Sequence, residues 1–105
     1  MILTTWERLM CAAIVGGITG TAADIRAAGK VLDLLEFSPD QAKDVGMYQN
    51  PDGTMGWSVG SKDWDIGLDH KAFLLVRQAV TGYSGWAARD TKRVDALLEK
   101  LAASE

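Results

Sequence analysis

The first part of the chain has apolar residues at the spacing of an amphipathic helix. These residues recur every three or four positions and are Trp6, Leu9, Met10, Ala13 and Ile14. Thr4 and Glu7 form the pattern of a capping box, in which the hydroxyl and the carboxylate each accept an exposed amide at the helix start. The sequence therefore predicts a first helix from Thr4 to about Val15.

A second apolar stripe follows the glycine-containing turn at residues 16–20. It consists of Ile25, Ala28, Val31, Leu32, Leu34 and Leu35, with Thr21 as the expected N-cap. The stripe is wide enough to predict burial on two sides of this helix. Residues 38–41 form another capping box with Pro39 at the first helical position, so a short helix is expected to about Asp44.

The period of the pattern then changes from helical to alternating. Residues 45–49 and 55–59 alternate between large and small or polar side chains, and the segment 50–53 between them reads Asn-Pro-Asp-Gly. That segment is typical of a type I turn ending in a left-handed glycine. We expect a β-hairpin over residues 45–59, centred on Pro51 and Asp52.

Two further helices are predicted in the second half of the chain. One runs from about Leu68 to Thr81 and ends before Gly82, and the last is capped by Asp90 or Thr91. The residues expected to be buried across the whole fold are Leu9, Ile25, Leu32, Phe73, Val76 and Leu98.

Together these elements predict a single domain over residues 1–105. Its class is α+β, mainly α: a small four-helix domain with one β-hairpin inserted between the second and third main helices. A chain of 105 residues suits one domain with one modest core.

Composition narrows the possible partners. Hydrophobic residues make up 48% of the chain, charged residues 24%, and the formal net charge is −3. Because nucleic acids and anionic membrane surfaces select basic proteins, we expect neither as a partner. The apolar run at residues 9–18 is too short and too glycine-broken to span a bilayer. A single cysteine excludes an internal disulfide, so a cytoplasmic location is expected.

Few residues are suited to catalysis. Cys11 and His70 are the only candidates for a thiol–imidazole pair, and Asp63, Asp65 and Asp69 are the only acidic cluster that could suggest a cation site. We expect a packed thiol, a surface histidine and acidic residues near a helix start instead. The sequence therefore predicts no catalytic residue, no metal and no cofactor.

The glycine-containing segment at residues 16–21 suggests an alternative function. Its composition resembles a phosphate-binding loop, and it leads into a helix N-terminus, which attracts anions. However, it follows a helix instead of a strand and lacks the lysine of nucleotide-binding loops. We interpret it as a turn between helices and keep nucleotide or small-molecule binding as the alternative hypothesis.

The most unusual feature of the sequence is its four tryptophans in 105 residues. Trp6 lies on the stripe of the first helix and is expected in the core. The candidate binding residues lie in or beside the hairpin and the loops, and are Tyr48, Trp57, Trp64, Tyr83 and Trp86. Such residues are enriched at binding hot spots, but they could equally fill the space between hairpin and helices.

Several short motifs resemble those of certain small proteins encoded in bacteriophage genomes. They are the helix opening at residues 3–9, the Phe-Ser cap at 37–41, the glycine- and tryptophan-containing hairpin at 53–57, the helix entry at 66–68 and the Glu-Lys pair at 99–100. The resemblance implies a phage or prophage accessory protein that modulates or inhibits host machinery. It implies no activity and no functional residue.

The sequence thus favours a non-catalytic accessory protein that binds another protein or itself. Its wide apolar helix faces predict a homodimer, with Gly29 allowing close approach of a second helix. An enzyme using Cys11 or the Asp63, Asp65 and Asp69 cluster is the least favoured hypothesis.

Overall fold

The computed structural model describes residues 1–58 and 62–103, which form a small, mainly helical α+β domain. The helices are α1 (Thr5–Gly16), α2 (Ala22–Leu35), α3 (Pro39–Asp44), α4 (His70–Thr81) and α5 (Thr91–Ala103), with a 3₁₀ turn at Ala88–Asp90. The strands are β1 (Ile2–Thr4), β2 (Tyr48–Gln49), β3 (Met55–Gly56) and β4 (Asp63–Asp65). This arrangement confirms the predicted fold class, with four main helices and a hairpin between α2 and α4.

Local hydrogen bonds explain where the first three helices begin. Thr4, Thr21 and Ser38 each accept the amide of the third helical residue, and the side chain of that residue accepts the amide of the cap. These three capping boxes satisfy amides that a helix start otherwise leaves unpaired. They confirm the predicted helix starts.

The hairpin has the predicted turn but shorter strands. The Gly53 amide donates to the Asn50 carbonyl at 2.9 Å, and Gly53 has a φ of 89°. The strands pair Tyr48 with Gly56 and Gln49 with Met55. One further bond, from the Ser58 amide to the Val45 carbonyl at 2.9 Å, extends the pairing toward α3. The predicted residue Val59 lies outside the described residues.

A second two-stranded sheet corrects the prediction that the hairpin is the only β structure. Strand β1 pairs antiparallel with β4, so that Leu3 lies opposite Trp64. Each strand has three residues and points one large apolar side chain inward, and both of these side chains are buried. Such short strands show too few alternating positions to be recognised in a sequence.

The core lies between α1, α2, α4 and α5, and it corrects part of the predicted burial. Phe73 and Val76 are buried as expected, but Ile25 is 52% exposed. The other three residues expected in the core, Leu9, Leu32 and Leu98, are half-buried. The buried line of α2 consists of Ala28, Val31 and Leu35. The predicted stripe was therefore too wide, because an apolar arc does not fix which of its edges faces the core.

One charged side chain is part of this core. Arg8 is 2% exposed, and its guanidinium donates to the Leu35 and Glu36 carbonyls at 2.7 and 2.8 Å. It also donates to Gln41 Oε1 at 3.0 Å and lies 4.1 Å from the ring centroid of Phe37. Arg8 thus satisfies carbonyls at the end of α2, where the helix dipole favours a cation.

None of the described helices is both long and apolar enough to cross a lipid bilayer.

Candidate functional site: a tryptophan groove

An open groove of about 1130 Å³ lies between α1, α2, the hairpin and the connection before α5. We call it the tryptophan groove. Its main lining side chains are Trp6, Leu9 and Met10 from α1, Leu32 and Glu36 from the end of α2, Met55 and Trp57 from the hairpin, and Trp86, Arg89 and Arg93 from the last connection and α5. The groove therefore depends on four separate parts of the chain.

The aromatic rings of the groove support one another. Trp6 and Trp86 lie with ring centroids 6.1 Å apart and a tilt of 33°. Tyr83 contacts Trp86 edge to face, with centroids 4.9 Å apart and an interplanar angle of 82°. Mutual contacts of this kind restrict the rings, so these side chains lose little additional conformational entropy when a ligand packs on them.

Charged side chains lie at the rim of this apolar surface. The Arg93 guanidinium is 5.5 Å from the centroid of the Trp6 ring. Arg89 is largely exposed and lies 4.0 Å from the carboxylate of its neighbour Asp90. Glu36 lines the groove from the end of α2. An apolar centre with a polar rim is the usual anatomy of a protein-binding surface.

A smaller cleft of about 270 Å³ adjoins the groove and shares Trp6, Trp57 and Arg93 with it. We call it the cationic cleft, because Lys62 and Arg93 both line it. Glu7 also lines it, but its carboxylate accepts the Thr4 amide at 2.9 Å and pairs with Lys100 at 2.5 Å.

The structure separates the predicted binding residues into three groups. Trp57 and Trp86 line the groove, and Tyr83 supports Trp86. Trp64 is buried, contacts Phe37 edge to face and donates from Nε1 to Thr5 Oγ1 at 3.0 Å. Tyr48 is exposed on β2 and does not line the groove.

Sequence reasoning missed several groove residues. Trp6 was expected in the core, yet it is half-buried and lines both cavities. The sequence pattern does not mark Met55 or Arg93 as binding residues. The sequence did place Trp6 beside another groove residue, because Trp6 and Met10 share one face of the first helix. Nothing in the sequence indicates that Arg93, on the last helix, reaches the ring of Trp6.

Two members of the acidic cluster have structural partners. Asp69 Oδ1 accepts the Ala72 amide at 2.8 Å and caps α4, and Asp65 lies 3.5 Å from the Met1 amino group. Residues 1–58 and 62–103 contain no group of three metal-ligating side chains. Helix capping is the function that the structure shows for Asp69.

A carboxylate of the chain itself lies beside the glycine-containing turn. Asp24 accepts the Thr21 amide at 3.1 Å, so a carboxylate of the chain itself occupies the N-terminus of α2. A Cβ added to Gly20 would lie 2.6 Å from that carboxylate, which explains why the turn has glycine there. The amide of Thr21 is therefore not available to an anionic ligand.

The Cys11 thiol has the surroundings of an inert core residue. Cys11 is fully buried, and His70 is exposed at the start of α4. Burial, with a smaller contribution from the Glu7 charge, raises the pKa of the thiol from 9.0 to about 12. A nucleophilic cysteine needs the opposite shift, because the thiolate is the reactive form.

This shift predicts how stability depends on pH. Above pH 9.0 the unfolded thiol loses its proton while the folded thiol keeps it up to a pKa of about 12. The Cys11 contribution to the free energy of unfolding should therefore fall by roughly 1.4 kcal/mol per pH unit in this window. Urea unfolding of the native chain and of Cys11→Ala at about pH 8 and about pH 10.5 isolates this contribution. A difference between the two proteins that does not change with pH would contradict the prediction.

No family model, curated protein sequence or solved structure matches this chain. The tryptophan groove offers a broad aromatic contact surface. By contrast, Cys11 is buried, His70 is exposed at the start of α4, and Asp69 caps that helix.

Proposed function

We propose that this chain is a non-catalytic binding protein whose tryptophan groove takes a segment of another protein. The observation that carries the proposal is the groove itself, with three indoles and two methionines on one open surface of about 1130 Å³. Tryptophan dominates binding hot spots, and methionine adapts its shape to different partners.

The size and openness of the groove favour a protein segment over a small molecule. Small ligands usually occupy concave sites of about 300–1,000 Å³ that enclose most of their surface. This groove, at about 1130 Å³, is larger and is open to solvent. A peptide segment, in helical or extended form, matches such a surface better.

Two further parts of the proposal concern context. The short motifs described above favour a phage-type accessory protein that modulates host machinery, and the buried free thiol suits a reducing cytoplasm. We also propose self-association, because α2 leaves Ile25 and Leu34 about half exposed. Sedimentation equilibrium at micromolar concentration tests this point: a mass that stays at 11.3 kDa would exclude the dimer.

The groove proposal is tested by selecting a randomised peptide library on the full chain. We expect selected peptides to bind the native chain, and we expect Trp86→Ala to weaken them by at least about tenfold, as is typical of a hot-spot tryptophan. Ile2→Ala is the matched control, because Ile2 is 48% exposed and does not line the groove. Circular dichroism and thermal unfolding establish that both variants remain folded.

Two outcomes would contradict the groove proposal. If the selected peptides bind Trp86→Ala as tightly as the native chain, the groove is not their site. The same conclusion follows if a second groove variant, Met55→Glu, leaves their affinity unchanged. Either outcome would remove the basis of the proposed function.

A further inference from the structure

The cationic cleft suggests which kind of segment the groove accepts, and this inference rests on the proposed function. The cleft and the groove share Trp6, Trp57 and Arg93, so one ligand can contact both. The groove supplies apolar area, and the cleft supplies two cationic side chains beside it.

Arg93 is free to bind a carboxylate. Within residues 1–58 and 62–103 it forms no ion pair, and its guanidinium lies over the Trp6 ring. Arginine binds carboxylates through two parallel hydrogen bonds while its planar face stacks on an aromatic ring. The contact with the Trp6 ring, at 5.5 Å from its centroid, therefore leaves the hydrogen-bond donors of Arg93 unused.

Lys62 is the second cation of the cleft. Its ammonium lies 4.5 Å from the Trp64 ring centroid and 3.8 Å from Asp44, a carboxylate that is 62% exposed. This distance to an exposed acid is long for an ion pair, so water screens the interaction strongly. Lys62 can turn toward a ligand at little cost.

The acidic residues beside the cleft leave one of its cations unpaired. Two carboxylates, Glu7 and Asp63, and two cations, Lys62 and Arg93, line the cleft. Glu7 pairs with Lys100 and Lys62 lies near Asp44, whereas Arg93 forms no ion pair within the described residues. An unpaired guanidinium beside an apolar surface attracts and orients an acidic group.

We propose that the partner segment carries an aspartate or glutamate next to bulky apolar residues. Its carboxylate enters the cationic cleft between Arg93 and Lys62. Its apolar side chains pack on the indoles of Trp6, Trp57 and Trp86. Charge complementarity sets which segment binds, and the indoles supply most of the contact area.

Peptides selected on the full chain test this inference through their composition. We expect aspartate or glutamate to be enriched beside apolar residues, and we expect selection on Arg93→Glu to enrich lysine or arginine instead. Arg26→Glu is the matched control. It makes the same charge change at an exposed position of α2 that lines neither the groove nor the cleft, and it should leave the acidic preference in place.

A double-mutant cycle locates the contact. Arg93→Gln and a Glu→Gln change in one selected peptide should each weaken binding roughly tenfold, and the two changes together should weaken it little further. If Arg93→Gln proves unstable, the same cycle is run with Arg93→Lys, which keeps the charge but loses the two parallel hydrogen bonds to a carboxylate.

The outcomes separate this inference from the proposed function. Peptides that depend on Trp86 but show no acidic preference would overturn the inference and leave the groove proposal standing. Peptides indifferent to Trp86→Ala would overturn both. A dimer that Trp86→Ala dissociates would show that a second copy occupies the groove, and this too would overturn the inference.

Discussion

Replacing Arg8 by methionine is expected to lower the free energy of unfolding by about 3 kcal/mol or more, because it leaves buried carbonyls without donors. The Leu35 and Glu36 carbonyls and Gln41 Oε1 would each lose a charged donor. Burial lowers the pKa of Arg8, because removing the charged guanidinium from water costs free energy. The hydrogen bonds to these three acceptors offset that cost. A domain of this size is stable by only about 5–15 kcal/mol, so the loss would be large.

Two further variants test the reason for that loss. Arg26→Met makes the same change on the exposed side of α2 and should cost less than about 0.5 kcal/mol. Arg8→Lys keeps the charge but cannot reach three acceptors with a planar fork, so it should restore only part of the stability. Urea unfolding measures all three variants. An Arg8→Met variant as stable as Arg26→Met would show that the buried guanidinium does not stabilise the end of α2.

Trp64→Ala is expected to lower the free energy of unfolding by about 3–5 kcal/mol, the usual range for removing a buried aromatic side chain. Trp64 is only 8% exposed. It packs on the Phe37 ring at 5.2 Å and lies 5.0 Å from the Arg8 guanidinium. The change would therefore disturb the second sheet and the buried charge together.

Matched substitutions separate packing from hydrogen bonding. Trp64→Phe keeps most of the packing but loses the bond from Nε1 to Thr5 Oγ1, so it should cost only about 1–2 kcal/mol. Trp57→Ala also removes an indole, but from a half-buried groove position, so it should lower the free energy of unfolding clearly less than Trp64→Ala. If Trp57→Ala proves the more destabilising of the two, the division between core and groove tryptophans is wrong.

Features that depend on neighbouring residues were predictable from the sequence. Thr4, Thr21 and Ser38 begin helices because each contacts an amide only three residues away. The turn at residues 50–53 is equally local, because a hydrogen bond between Asn50 and Gly53 closes it.

Features that depend on distant residues were not predictable in the same way. The pairing of Leu3 with Trp64 joins positions far apart in the chain, and two strands of three residues carry almost no periodic signal. Ile25 was assigned to the core because the apolar arc of α2 is wider than the area that the other helices cover.

The candidate site shows the same division between local and distant information. Composition identified the aromatic residues, and the structure places Trp57 and Trp86 in one groove. Composition could not distinguish these two residues from buried Trp64. It also could not predict the contact between Trp6 and Arg93, since that contact requires the packing of α5 near α1. Charge pairing across the fold decides which cations are free, and a sequence alone does not contain that information.

The most direct test of the central claim uses the four tryptophans as internal probes. Each indole N–H gives its own resonance in a ¹⁵N-labelled sample, and a selected peptide can be titrated against them. The account predicts shifts at Trp6, Trp57 and Trp86, which line the groove, and little change at buried Trp64. Binding of the peptide with all three groove resonances unchanged would contradict it.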